Sequence, residues 1–501
     1  MKTLQVLFLC FLVALFGPAS AAAGSLRAGA AKVDITHPDH PAGSNPLYAK
    51  ALVLSDDESG QVAVIVAVDA VAIAEIGSIK DPFLANVRAR LKEEIGLDPA
   101  NIMINASHCH GIVCADVEAR TVAAVKEAWE RLAPARAGTG AGKEDRIMEN
   151  RRLILKNGKQ ADVRHAYSMP ADEDVAAVGP IDSEIGLLRI DHEDGRPLAL
   201  VYNFAVHPIQ GVPGRGNTAD MTGFASVVIE ENLGEGAVAL FIQGCAGDIN
   251  PANYKAVNQL RDAEPLGNLL GLSTLRAARK IETSENVDLS MVNESLTLPR
   301  ADLVERIKEM EVEVDALLES LKGTTLNLKT FVPLYMKYGV SGDFPSYYSH
   351  RYLQDEKLGK EDWKKLDDEN RQNMAAYIRN IQTMEELTRK QINLALLERH
   401  HERNPDAEKT IDVEVVGLRV GDFRMVTFPG EVTVQIGLNI KGASDFEQTF
   451  VAGYTNGYIY YSPTAQQLLN RGGAQEDSDC LLAPEWQELF EAVANRVIND
   501  L

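Results

Sequence analysis

Near the start of the chain, short runs rich in β-branched residues at 32–36, 49–54 and 62–68 sit between Asp, Gly and Pro turns, and such runs are strands. A helical pattern over 82–95 follows, then another apolar run at 101–106. Strand, helix, strand in that order predicts an α/β unit. Further strands are expected at 185–190, 198–205 and 237–243, with a helix over 221–231 before the last of them. Two more, at 411–420 and 423–428, flank the pair Gly421-Asp422, a strong hairpin signal.

Between 300 and 404 the periodicity changes. Leu303, Ile307, Met310, Val314, Leu317 and Leu321 alternate four and three apart, which is one apolar stripe on a helix. A second helical pattern runs over about 361–400, with Met374, Tyr377, Ile381, Met384 and Leu387 on its stripe. Together they predict an antiparallel helical hairpin inserted at about 300–404. Its expected connecting loop concentrates Phe331, Tyr335, Tyr338, Phe344, Tyr347, Tyr348 and Tyr352 in a chain that is only 6% aromatic. Such a loop packs its own rings, covers a substrate or forms a homo-oligomer surface.

Residues 1–23 carry Lys2, an apolar run from Leu4 to Phe16 and a small-residue tail with Ala19-Ser20-Ala21, the pattern of a secretory signal peptide cleaved near Ala21 to Ala23. The run is short for a membrane span, and Cys10 lacks the small residue before it that a lipid anchor needs. The mature chain, 24–501, is therefore expected to be exported, with no transmembrane segment. With 72 acidic against 50 basic side chains the net charge is −22, which disfavours a nucleic-acid partner. The remaining cysteines, Cys109, Cys114, Cys245 and Cys480, are too few for a disulfide scaffold, although Cys109 and Cys114 are close enough in sequence to pair.

Several strand ends carry groups capable of chemistry. Ser107-His108-Cys109-His110-Gly111 follows an apolar strand, and in an extended chain residues two apart face the same side. His108 and His110 could then share a metal, or one could bind it while the other moves a proton. His207 sits at the end of another strand, before Pro208; on its own it is equally a capped histidine. Gly244-Cys245-Ala246-Gly247-Asp248-Ile249-Asn250-Pro251 is a small-residue turn with one carboxylate, either bonded to its own backbone or shaped to support a metal or ligand. Glu431 follows Phe428-Pro429-Gly430, and Tyr454 to Thr464 is dense in tyrosine.

Taken in order, these segments resemble the neutral ceramidase superfamily of exported zinc amidohydrolases, from Gly29 to about Thr464. The matching signals are Ala31 to Thr36, the His-x-His strand end, Asn150-Arg151, Phe-Ala-x-His-Pro, Gly-Asp-x-x-Pro, Pro-Gly-Glu and Asn-x-Tyr-x-x-Tyr. The resemblance implies a ceramidase-like, mixed-sheet α/β catalytic domain with zinc on His108, His207, Glu431 and Tyr461, or Tyr458 if the register of the last motif differs. It also implies His110 beside the metal and Arg151 orienting a carbonyl or anionic oxygen of a small-molecule or lipid-like substrate.

One position departs from the pattern. In ceramidases the Gly-Asp-x-x-Pro turn carries the proposed serine nucleophile just before the proline, where this chain has Asn250. An amide cannot attack as an alkoxide would. The expectation is hydrolysis of a carboxylic ester or amide by metal-bound hydroxide, with His110 moving the proton and Asn250 donating a hydrogen bond to the oxyanion. The alternatives are a true ceramidase with a displaced nucleophile, or a non-catalytic secreted binding protein on the same fold.

Overall fold

The computed structural model describes residues 26–501 apart from 44, 163–168, 235, 255, 257, 346–348 and 471–473; the expected signal peptide, Tyr347 and Tyr348 lie outside the described residues. An eight-stranded mixed sheet runs in the order Val238–Gln243, Pro197–Phe204, Glu184–His192, Ala133–Lys143, Leu26–Asp34, Tyr48–Asp56, Val62–Val68, Ile102–Ala106. A four-stranded sheet, ordered Leu289–Pro299, Thr410–Val420, Phe423–Thr427, Thr449–Ala452, packs on one face of it. Leu52, Ile65, Leu188 and Leu240 of the larger sheet meet Leu418, Phe423, Met425 and Phe450 of the smaller. Each such side chain contributes about 2 kcal/mol by leaving water.

Helices complete the outer layers. Pro82–Ile95 and Val117–Glu130 cover one half of the larger sheet, with Val87, Leu91 and Val125 against Val64, Val66 and Ile104. Asp220–Leu233 and Glu264–Ala278 cover the other half, and Val434–Ala443 and Trp486–Asp500 cover the smaller sheet. The α/β class and the turn at Gly421-Asp422, where Val420 pairs with Phe423, agree with the pattern read from the sequence, and the mixed sheet with what the resemblance implies.

The helical segment leaves and returns through adjacent strands, since Pro299 pairs with Thr410. Val304–Ser320 packs antiparallel on the 41-residue helix Asp362–Glu402, joined by Leu303, Met310 and Leu397. The connection between them is not the aromatic loop expected from the sequence. It forms the helices Leu328–Val340 and Ser349–Lys357. Asn327 and Thr330 make a reciprocal cap at the start of the first, and Phe331, Leu334 and Tyr338, spaced three and four apart, turn to the partly buried side, which outweighs Pro333 inside the helix. Among the described residues, Cys109, Cys114, Cys245 and Cys480 are buried and unpaired, so Cys109 and Cys114 do not pair with each other.

Three parallel strand pairs aim their carboxyl ends at one region: Val62–Val68 with Ile102–Ala106, Pro197–Phe204 with Val238–Gln243, and Phe423–Thr427 with Thr449–Ala452. Ligand sites of α/β sheets form at such ends. Two buried amides hold the ends together. Asn105 Oδ1 accepts from the backbone N–H of Gln243 at 2.9 Å, and its Nδ2 donates to Gly453 O and Thr455 Oγ1. Gln243 Nε2 donates to the carbonyls of Ser107 and Val206. The opposite edges of the large sheet and a loop of the small one are thereby locked to each other.

Candidate metal centre

His108 lies two residues beyond the strand Ile102–Ala106, buried, with φ of 66°. That left-handed turn ends the extended chain before the His-x-His pair, so the expected same-side alternation of His108 and His110 does not hold. His108 turns inward while His110 is exposed, their rings 5.5 Å apart and edge to face. His207 follows Pro197–Phe204 and is also buried. Glu431 opens the short strand Glu431–Val432, which pairs in parallel with Tyr461–Ser462.

The three side chains converge. Nε2 of His207 lies 3.1 Å and Nε2 of His108 3.5 Å from Oε2 of Glu431, and one ligand atom from each fits within 4.8 Å of the others. Nδ1 of His108 is 2.6 Å from the carbonyl oxygen of Val71, and Nδ1 of His207 is 3.1 Å from that of Ile249. A carbonyl only accepts, so each Nδ1 carries the proton and each Nε2 presents a lone pair toward an acceptor carboxylate. Lone pairs from two imidazoles and a carboxylate, each imidazole steadied by a carbonyl behind it, suit a zinc ion. Burial drives both histidines down to about 4, for His207 with the help of Arg151, so both are neutral near pH 7. Burial alone would raise Glu431, and the hydrogen bond that the Tyr458 hydroxyl donates to it favours the charged carboxylate instead.

Tyrosines close the site. The hydroxyl of Tyr458 donates to Oε1 of Glu431 at 2.5 Å and that of Tyr454 to Oε2 at 3.2 Å. Tyr454 also lays its ring 4.4 Å from that of His108. The loop that carries them holds Tyr454, Asn456 and Tyr460 at φ of 52°, 56° and 65°, and left-handed non-glycine residues gather where a structure over-determines a functional geometry. Tyr461 is placed differently: its hydroxyl oxygen accepts from Arg151 at 3.1 Å.

Arg151 is buried, and its donors reach protein groups: Glu476 Oε1 at 2.7 Å, Asn250 Oδ1 at 3.1 Å, Gly247 O at 2.6 Å and the hydroxyl of Tyr461. Arg151, expected to orient a substrate oxygen, thus holds Asn250 and Tyr461 by hydrogen bonds. Asn250 itself is buried, and among the described residues its Nδ2 has no hydrogen-bond partner. It directly follows Ile249, whose carbonyl receives both the backbone N–H and Nδ1 of His207. Asp248 does not bond its own turn. Its carboxylate accepts from the backbone N–H of Val434 at 2.8 Å and from Asn150 Nδ2 at 3.1 Å, pinning the turn to the segment after Glu431.

Comparison with solved structures bears on this arrangement. The chain matches neutral ceramidase from Pseudomonas aeruginosa with a TM-score of 0.58 and 18% identity, over 95% of this chain and 75% of that one. It matches a ceramidase complexed with C2 at a TM-score of 0.59, with the same identity and coverage. The chain has the neutral ceramidase fold. No family model and no curated protein matches the sequence.

Within this ceramidase-like fold, His108, His207 and Glu431, picked out from the sequence as metal ligands, come together. His110 stands at the exposed side, while Arg151, Asn250 and Tyr461 form one hydrogen-bonded group. Tyr454, Asn105, Gln243 and Glu476 escaped the sequence reading. Asn105 and Gln243 did leave a signal, as amides inside otherwise apolar strands. Glu476 lies in the run Gln475-Glu476-Asp477-Ser478-Asp479, which reads as solvated surface but is buried against Arg151 and Arg152.

Proposed function

We propose that the protein is an exported, zinc-dependent hydrolase of a carboxylic ester or amide bond, with His108, His207, Glu431 and Tyr458 as the metal-holding residues. The observation that carries this reading is the convergence of two Nε2 lone pairs on the Glu431 carboxylate. Tyr458 is preferred to Tyr461 as the fourth ligand on the ground that its hydroxyl lies on the same carboxylate; the hydroxyl of Tyr461 accepts from Arg151. Bound zinc supplies Lewis-acid polarisation of a carbonyl and lowers the pKa of water.

The chain's own residues supply the rest. A water adds to the carbonyl carbon; His110 takes its proton and returns it to the leaving nitrogen or oxygen as the carbonyl-heteroatom bond breaks. Asn250 Nδ2, buried and without a partner, donates to the oxygen that gains charge. Arg151 donates to the oxygen of Tyr461, which makes that hydroxyl a stronger donor in the same region. Export rests on the pattern of residues 1–23, and a lipid-like substrate on the name of the matched structures. Zinc-loaded protein should hydrolyse a short-chain aryl ester or an N-acyl amide, ceramide included, and lose the activity with His108→Ala. Zinc-loaded protein that cleaves no member of an ester, amide and lipid panel would favour the binding-protein alternative.

A further inference from the structure

The helix Leu328–Val340 has two apolar faces and, among the described residues, one packing partner. Phe331, Leu334 and Tyr338 face the long helix: the Phe331 ring stacks 4.6 Å from that of Tyr377, and the Tyr338 hydroxyl donates to Asp367 at 2.7 Å. Roughly a third of a turn away, Leu328, Val332, Tyr335, Met336 and Val340 form a second stripe that is 46% to 82% exposed. None of the residues of this helix is buried. A helix that served only the fold would place polar residues on that second face.

Charge identifies the occupant. The helix contains Lys329 and Lys337, both exposed, and no acidic residue. Residues 321–365 hold 8 Lys and Arg against 5 Asp and Glu, in a chain whose net charge is −22. An exposed apolar stripe with a tyrosine on it and lysines beside it is the composition of a helix that lies in an anionic lipid interface, with its rings and aliphatic groups below the headgroups and its ammonium groups among them. A second copy fits less well, because a two-fold contact through this stripe would bring its lysines toward their own counterparts. We infer that the helix Leu328–Val340 docks the protein on an anionic membrane or lipid-aggregate surface. Docking there goes beyond the hydrolase reading and does not depend on it.

Co-sedimentation of the full mature chain with vesicles tests this without any activity measurement. The wild type should sediment with vesicles of equal parts phosphatidylglycerol and phosphatidylcholine, and far less with phosphatidylcholine alone. The pair Val332→Glu and Met336→Glu should weaken binding about tenfold or more, and the pair Lys329→Glu and Lys337→Glu should remove the preference for anionic vesicles. Val312→Glu, at a position 69% exposed on the helix Val304–Ser320, should change neither. All of these sites are exposed, and unchanged far-UV dichroism and urea midpoint confirm that each variant is folded. Wild type that ignores anionic vesicles, or a Val332→Glu, Met336→Glu variant that binds like wild type, overturns the inference. So does a dimer in velocity sedimentation without lipid that this variant dissociates, which would assign the stripe to a second copy.

Discussion

Arg151 donates to Oδ1 of Asn250 at 3.1 Å, leaving the Nδ2 of that buried amide without a partner. An orphaned buried donor costs stability, and its retention beside His207 is accounted for by a substrate oxygen that accepts from it. Asn250→Ala should lower kcat on an ester substrate about a hundredfold or more while KM changes little. Loss as complete as that in His108→Ala would instead give the turn an indispensable chemical role.

Glu476 supports the same arginine from the other side, 2.7 Å from Nε of Arg151 and 3.2 Å from Arg152, with both guanidinium groups and the carboxylate buried. Removing one partner of a buried ionic group leaves uncompensated charge. Glu476→Gln should cost about 3 kcal/mol or more in urea-monitored stability. The equivalent change at Glu94, whose contacts to Arg90 and Lys126 are at the solvated surface, should cost far less.

The histidines make a pH prediction with a definite sign. Both are held at about 4 in the folded protein, so protons compete with zinc only as the pH approaches that value. Affinity measured by competition with a chelator should therefore be nearly flat from pH 7.5 to about 5.5. Two exposed histidines of ordinary pKa would lose about a hundredfold over that interval. The zinc-free protein should lose stability as the pH falls from about 6.5 toward 4, because there the unfolded chain binds protons that the folded chain refuses.

Tyr458 and Tyr461 should separate by readout. Tyr458→Phe removes a group bonded to Glu431 and should weaken zinc binding about tenfold or more. Tyr461→Phe should keep the zinc and lower kcat. The reverse pattern would return the ligand role to Tyr461.

Strands dominated by valine, isoleucine and leucine were legible in the sequence because burial on both faces leaves no other composition. Ala133–Lys143 was not: its sequence, Ala-Pro-Ala-Arg-Ala-Gly-Thr-Gly-Ala-Gly-Lys, carries no strand propensity. The structure supplies the reason, since a Cβ at Gly138 would sit 2.2 Å from the Glu282 carbonyl oxygen and one at Gly142 2.9 Å from the Ala277 side chain. His108, His207 and Glu431 were legible as motifs at strand ends. Whether Tyr458 or Tyr461 faces Glu431 depends on a loop bent by left-handed residues, which no periodicity encodes. The role of Arg151 depends on a contact with Glu476, 325 residues away.

The claim on which the rest stands is that His108, His207 and Glu431 hold zinc. Elemental analysis of the purified, buffer-exchanged protein should find about one zinc per chain, falling to near zero in Glu431→Ala and His207→Ala variants that remain folded. Wild-type protein that contains no zinc and takes none up from a buffered excess would contradict the account.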